Sequence, residues 1–298
     1  MLTFHFTINF LFSLVQLTVG AFANGIIVVV NGSDLLKQRK MATVDLLLFC
    51  LAVSRICLQL VIFYLHLLVS SFMEFPIYPA NFVAIAFVNE SGLWLATWLG
   101  VFYCAKIATF PHPLFFWLKM RISKLVPWLI LGSLLFVALA SVFHRKYTWP
   151  LSQKYIMAFF SKNTTQCKEI PYFFYYFFFL EFSLPFLIFL TAVLLLVYSL
   201  GRHTQQMRTT ARGPGSLRRS VPASALCSIL AFLILYFSHY MVAALLAFKV
   251  FDFRSLVFQL SILFIGTYPS GHSIILILGN PRLKQNAKKF FLTGKCFQ

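Results

Sequence analysis

The stretch ATVDLLLFCLAVSRICLQLVIFYLHLL, residues 42–68, decides the fold. Asp45 at its start and Arg55 inside it are its only members of the Asp/Glu/Lys/Arg set. The hydrocarbon core of a bilayer takes about 20 apolar residues as a helix, and this run is long enough. The same ruler moved along the chain gives seven spans, at about 8–30, 42–68, 82–106, 125–143, 172–200, 223–248 and 255–279. Composition agrees. The 298 residues are 60% hydrophobic and 18% aromatic, with 37 phenylalanines and only 11% charged residues. Soluble domains average about 25% charged, so a water-soluble surface cannot be covered. A collagen, a disordered tail and a disulfide-stapled secreted module are excluded on the same ground. The first run has no basic flank before it, holds Asn24 and shows no clear cleavage site, so it is expected to be a retained span.

Orientation follows from where the basic residues fall. Lys37, Arg39 and Lys40 lie between the first two spans, and Lys106, Lys119, Arg121 and Lys124 between the third and fourth. Arg202, Arg208, Arg212, Arg218 and Arg219 follow the fifth span, and Arg282, Lys284, Lys288, Lys289 and Lys295 lie in the tail. These are seventeen of the 25 Lys and Arg residues. The opposite side has seven: Arg145, Lys146, Lys154, Lys162, Lys168, Lys249 and Arg254. The richer side is cytosolic. The expected architecture is therefore an all-α, seven-transmembrane helix bundle over 1–279, amino terminus outside, with a cytosolic tail at 280–298. That tail should form a short amphipathic helix on the inner leaflet, with Leu283, Ala287 and Phe290 or Phe291 on one face. The net charge of +18 does not point to nucleic acid, because the basic residues punctuate apolar runs rather than a solvated face.

Three N-x-S/T sequons begin at Asn31, Asn89 and Asn163. This orientation puts the first in the cytosol, the second in the bilayer and the third in the longest outer loop, so only Asn163 is expected to carry a glycan. Cys167 is the one cysteine expected in the outer loops, which predicts no structural disulfide. The seven histidines are too scattered for a metal site. No phosphate-binding loop, G-x-S-x-G or H-E-x-x-H occurs, so neither a cofactor nor an enzyme is expected.

Polar side chains in hydrocarbon cost free energy, and each is a functional candidate. Arg55 lies near mid-bilayer and must face the bundle interior, where Asn24 and Ser273 are expected to hydrogen-bond it. The alternatives are a structural clasp and a switch. A second set lies roughly 12–14 Å below the outer face, from the 1.5 Å rise per residue. It comprises Asn89 and Glu90 on the third span, Glu181 on the fifth, His239 and Tyr240 on the sixth, and Ile262 and Leu263 on the seventh, with His66 slightly shallower on the second. Five helices offering side chains to one layer make a pocket pattern; ordinary interhelical hydrogen bonding is the competing reading. Pro185 is expected to kink the fifth helix.

The inner-end motifs narrow the reading. Leu51-Ala52-Val53-Ser54-Arg55 stands in the second span. Phe102-Tyr103-Cys104-Ala105-Lys106-Ile107-Ala108 ends the third, leading to His112-Pro113 and Trp117-Leu118-Lys119-Met120-Arg121-Ile122. The fifth ends Ser199-Leu200-Gly201-Arg202-His203, and the seventh holds Tyr268-Pro269-Ser270-Gly271-His272-Ser273-Ile274-Ile275-Leu276 before Asn280-Pro281-Arg282. This ordered set, over the whole chain, resembles the bitter taste receptors, taste receptor type 2. The run Trp94–Lys124, the inner end of the fifth helix and the tail look most like one particular member. The rhodopsin-like D-R-Y, C-W-x-P and N-P-x-x-Y patterns are absent, which separates the chain from odorant receptors.

The resemblance implies a plasma-membrane, multi-pass G-protein-coupled receptor for bitter compounds, partnered by a gustducin or inhibitory-type heterotrimeric G protein. It implies that Asn24 and Arg55 belong to a polar network, that His272, Ser273 and Leu276 form an H-S-x-x-L signature, and that Tyr103 and Lys106 replace an ionic lock with no acidic partner. It places ligand contacts near Ile85 and Asn89. Many relatives have tryptophan where Ile85 stands and some have glutamate where Ile262 stands, so Asn89 and Glu90 become the expected polar contacts. Lys106, Lys119, Arg121, His203 and Arg208 are the expected G-protein contacts. A small-molecule transporter is the rival class, but the seven unequal spans show no repeat pair and no matching broken helices. A structural membrane protein would need no polar layer at one depth.

Overall fold

The structure, a computed structural model, describes residues 2–38, 41–70, 79–147, 172–210, 223–247 and 256–295. Its helices are α1 (Leu2–Gln38), α2 (Thr43–Ser70), α3 (Pro79–Ile107), α4 (Pro113–Tyr147), α5 (Tyr172–Thr210), α6 (Ala223–Ala247), α7 (Leu256–Gly279) and α8 (Pro281–Lys295). Among the described residues there is no strand. Among the described residues four segments are long and apolar enough to cross a membrane, Phe10–Ser33, Thr43–Tyr64, Pro113–Phe143 and Leu180–Arg202, and Ile229–Val242 and Leu263–Gly279 are shorter apolar helices.

The helices run past the apolar stretches that seed them. The stretch 106–124, expected to connect two spans, is helical up to Ile107 and again from Pro113. Proline suits the first helical position, where a missing N–H costs nothing. His112 precedes it, with Nδ1 accepting from Leu114 N at 3.3 Å and its carbonyl from Phe116 N at 3.1 Å. Lys119, Arg121 and Lys124 therefore ride on a helix rather than a loop.

Packing closes a ring: α1 lies against α2, α2 against α3, α3 against α5, α5 against α6, α6 against α7, and α7 against α1. The fourth helix packs on α3. The core gathers Ile27, Leu47, Leu51, Ala96, Leu99, Phe189 and Tyr236 at its centre. The outward faces are also apolar. On α4, Trp128, Leu131, Leu135, Leu139 and Val142 are all exposed, Trp128 by 72%, at steps of three and four residues. One helix face presenting a large apolar side chain at every turn needs hydrocarbon around it.

The third and fifth helices meet at Gly100. A Cβ on Gly100 would stand 2.6 Å from the Phe189 ring, so only glycine lets these backbones meet. Thr97 donates to the carbonyl of Pro185 at 3.0 Å, tying α3 to the proline-bearing turn of α5. The eighth helix starts abruptly because Asn280 caps it: its Oδ1 accepts from Arg282 N at 3.0 Å, with Pro281 at the first helical position. Leu283 and Ala287 are buried in the bundle core, while Phe290 is exposed. The apolar face expected on the inner leaflet is thus used mainly against the bundle, because α8 docks on α7 and α1.

Candidate functional site

Arg55 on α2 is only 2% exposed, although charged. Its Nη1 donates to Ser273 Oγ at 3.3 Å and its Nη2 to His272 Nδ1, both on α7. A guanidinium can only donate, so His272 Nδ1 is an acceptor and the ring proton sits on Nε2. The His272 ring lies on Phe232 of α6, centroids 3.5 Å apart, and the guanidinium carbon is 5.9 Å from the Tyr268 ring. Ser273 Oγ lies 2.6 Å from Asn24 Oδ1 on α1 and 2.8 Å from the Pro269 carbonyl. Asn24 was expected to bond Arg55 itself. It is linked through Ser273 instead, and its amide nitrogen donates to the Gly20 carbonyl at 2.9 Å. The hydroxyl of Ser273 on α7 thus bridges α1 and α2.

One turn further out, a second polar layer joins the same three helices. Gln59 Nε2 donates to Ser270 Oγ at 2.5 Å, Ser270 Oγ to the Gln16 carbonyl at 3.3 Å, and Gln16 Nε2 to the Leu263 carbonyl at 2.8 Å. Gly20 packs directly on the Gln59 side chain, where any Cβ would collide. Sequence reasoning missed Gln16, Gln59 and Ser270. The signal was present: Gln59 is four residues from Arg55, Gln16 eight from Asn24, and Ser270 three from Ser273, all spacings that share a helix face.

The outer layer draws on α3, α5, α6 and α7. Glu90 of α3 and Glu181 of α5 are both buried, close enough to act on each other electrostatically. Ser183 Oγ meets Tyr240 Oη at 2.7 Å, and Tyr240 stacks on Phe186 at 4.9 Å. His239 is buried and stacks on Tyr268 at 4.4 Å, and neither ring nitrogen finds a hydrogen-bond partner among the described residues. Asn89 is half-buried and Leu263 buried. Tyr268 therefore stands between the two polar sets, His239 on one side and Arg55 on the other. The side chains of His66, Ile85 and Ile262 lie outside the described residues.

At the inner end, Tyr103 is half-buried and Lys106 is exposed, its Nζ 5.9 Å from the Phe102 ring. Asp45 of α2 lies near enough to Tyr103 to act on it electrostatically. Asp45 pairs with Arg282 of α8 at 3.3 Å rather than with Lys106. Lys119 is half-buried and Arg121 exposed. The side chains of His203 and Arg208, and all of Asn163, lie outside the described residues.

The family described as Taste receptor protein (TAS2R) matches residues 1–295. The chain belongs to that family. It is 60% identical to taste receptor type 2 member 1 of Gorilla gorilla gorilla, over 299 aligned positions covering 100% of each chain. The same protein of Pan paniscus is likewise 60% identical over the full length. Taste receptor type 2 member 119 of Mus musculus is 50% identical over 292 positions, covering 98% of this chain and 87% of that one. The taste receptor is thus a multi-pass membrane protein of the bitter-sensing G-protein-coupled class and not an enzyme. Member 1 is also the member that the run Trp94–Lys124 singles out.

Proposed function

We propose that this receptor crosses the plasma membrane seven times within residues 1–279, amino terminus outside and tail in the cytosol. A bitter agonist enters from outside and settles against Asn89, Glu90, Glu181, His239, Tyr240 and Leu263, with His66, Ile85 and Ile262 around it. The observation that carries the reading is the contact between the Glu90 and Glu181 carboxyls across α3 and α5. Two buried carboxyl groups side by side are a site that a cationic or amide-bearing ligand can complete.

Binding matters only if the agonist prefers one helix packing over another. The network of Asn24, Arg55, His272 and Ser273 is the element that two packings would rearrange. It joins α1, α2 and α7 and touches α6 through Phe232. Tyr268 couples it to the outer layer. Lys106, Lys119, Arg121, His203 and Arg208, with Tyr103 behind them, then meet a gustducin or inhibitory-type G protein at the inner end.

The test is calcium release evoked by bitter agonists in cells carrying a gustducin-type α subunit, run beside uptake of a radiolabelled agonist. The expected result is toxin-sensitive release, blocked by pertussis toxin, without uptake. Release that survives the toxin overturns the inhibitory-type coupling, and accumulation of label overturns the receptor reading in favour of transport.

A further inference from the structure

Where α3 ends and α4 begins, against the side of α5 and beside the connection 108–112, the fold leaves a cavity of about 460 Å³ lined by Phe110, Phe115, Phe116, Lys119, Ser199 and Arg202 among others. We propose that this cavity binds an anionic phospholipid of the cytosolic leaflet through its phosphorylated headgroup. The assignment to that leaflet rests on the orientation proposed above; the chemistry of the cavity does not.

The walls are fixed. Thr109 N donates to Ser199 Oγ at 2.9 Å, which pins the connection to α5. Phe110 packs edge-on against Phe115 at 5.0 Å and stacks on Tyr198 at 6.2 Å. Two cations reach the cavity from different helices, Lys119 from α4 and Arg202 from α5. No acid is among the lining residues, and among the described residues neither cation forms an ion pair. Lys119 Nζ donates once, to the Ala108 carbonyl at 3.4 Å, which leaves two of its protons for a ligand. Arg202 is exposed and brings the planar donor fork that matches phosphate oxygens.

The rim argues for a lipid over a soluble anion. Phe116 is 62% exposed and Tyr198 63%, and above Tyr198 on α5 lie exposed Leu194 and Leu195. The cavity is cationic within and continuous with an apolar helix face outside. That is the signature of an amphiphile whose head is anionic and whose chains lie in hydrocarbon. Basic pockets between helix ends at the cytosolic surface are where phosphorylated headgroups gain most from charge. Lys119 thereby acquires a role independent of the G protein.

The test uses the full-length receptor in detergent, titrated and followed by native mass spectrometry. The probes are phosphatidylinositol 4-phosphate, phosphatidylcholine and inositol 1,4-bisphosphate, the last being the headgroup without chains. Micelles expose both ends of the receptor, so the outcome is separate from that of the orientation test. One tight copy of the phosphoinositide is expected, with phosphatidylcholine and the soluble headgroup each at least about tenfold weaker. K119Q/R202Q should bind the phosphoinositide about thirtyfold more weakly. K124Q/K284Q removes the same charge from the same end outside the cavity and should stay within about twofold. An unchanged unfolding midpoint in both variants, and recovery of binding in K119R/R202K, separate a lost site from a lost fold. Equal losses in the two charge variants, or a soluble headgroup that binds as well as the lipid, would overturn the proposal.

Discussion

Arg55 removes two buried acceptors from solvent at once, His272 Nδ1 and Ser273 Oγ. Arg55→Ala leaves His272 Nδ1 without its donor, at about 1–3 kcal/mol, and frees Ser273, still bonded to Asn24 and the Pro269 carbonyl, from the link to α2. Lower surface expression and a lower maximal response are expected, with the rank order of agonist potencies kept, because the ligand layer is untouched. Surface labelling beside concentration–response curves checks this; wild-type values in both would make the network dispensable. Glu90 behaves differently. Glu90→Gln keeps a hydrogen-bonding group facing Glu181 but removes a carboxyl that a cationic agonist can use. A charge-assisted contact of about 1.5–3 kcal/mol corresponds to roughly ten- to hundredfold in potency. Cationic agonists should weaken by that factor while a neutral apolar agonist changes little, in curves normalised to surface level. Equal shifts for both would leave Glu90 as a brace for α3.

The α3–α5 contact shows how much one missing Cβ decides between elements. Phe189 is buried against Phe232 and Tyr236, at 4.8 and 5.2 Å, so its ring cannot move aside for a methyl group on Gly100. Overpacking of this kind costs about 1–3 kcal/mol. Gly132, by contrast, has open space where its Cβ would stand. Gly100→Ala should lower the unfolding midpoint of the purified receptor, and Gly132→Ala should leave it level or raise it through helix propensity. If the two variants melt alike, the close approach is not a constraint. At this scale the sequence was partly legible. The apolar runs each lie along helix, because length and apolar content need no partner to be read. The ends were not legible: α4 starts a dozen residues early because Pro113 and His112 form a cap, a local feature that a hydropathy window averages away. The docking of Leu283 and Ala287 was equally hidden, since an apolar face looks the same whether it meets lipid or protein.

For the whole molecule, orientation is the open quantity that chain chemistry can test. Asn31 is buried within α1, its Nδ2 donating to the Ile27 carbonyl at 2.9 Å, which makes it a poor glycan acceptor. Asn163→Gln should therefore raise gel mobility by one glycan, and Asn31→Gln should change nothing; a shift with Asn31→Gln would sink the proposed orientation. Family, helical class and several of the buried polar residues, Asn24, Arg55, Glu90, Glu181, His239 and Ser273 among them, are carried by the order of the residues alone. Hydropathy is a sum over neighbours in sequence, and a costly polar group in hydrocarbon announces itself without coordinates. Which of those groups meet was decided only by the packing. Arg55 and Ser273 are far apart in the chain, Asn24 reaches Arg55 only through Ser273, and Glu90 lies beside Glu181. The ion pair of Asp45 with Arg282, the polar layer of Gln16, Gln59 and Ser270, and the basic cavity beneath Phe110 appear only when helices are set side by side. Partner choice is a matter of a few ångströms and of helix rotation, which the one-dimensional pattern leaves free and the close approach of ring-packed helices fixes.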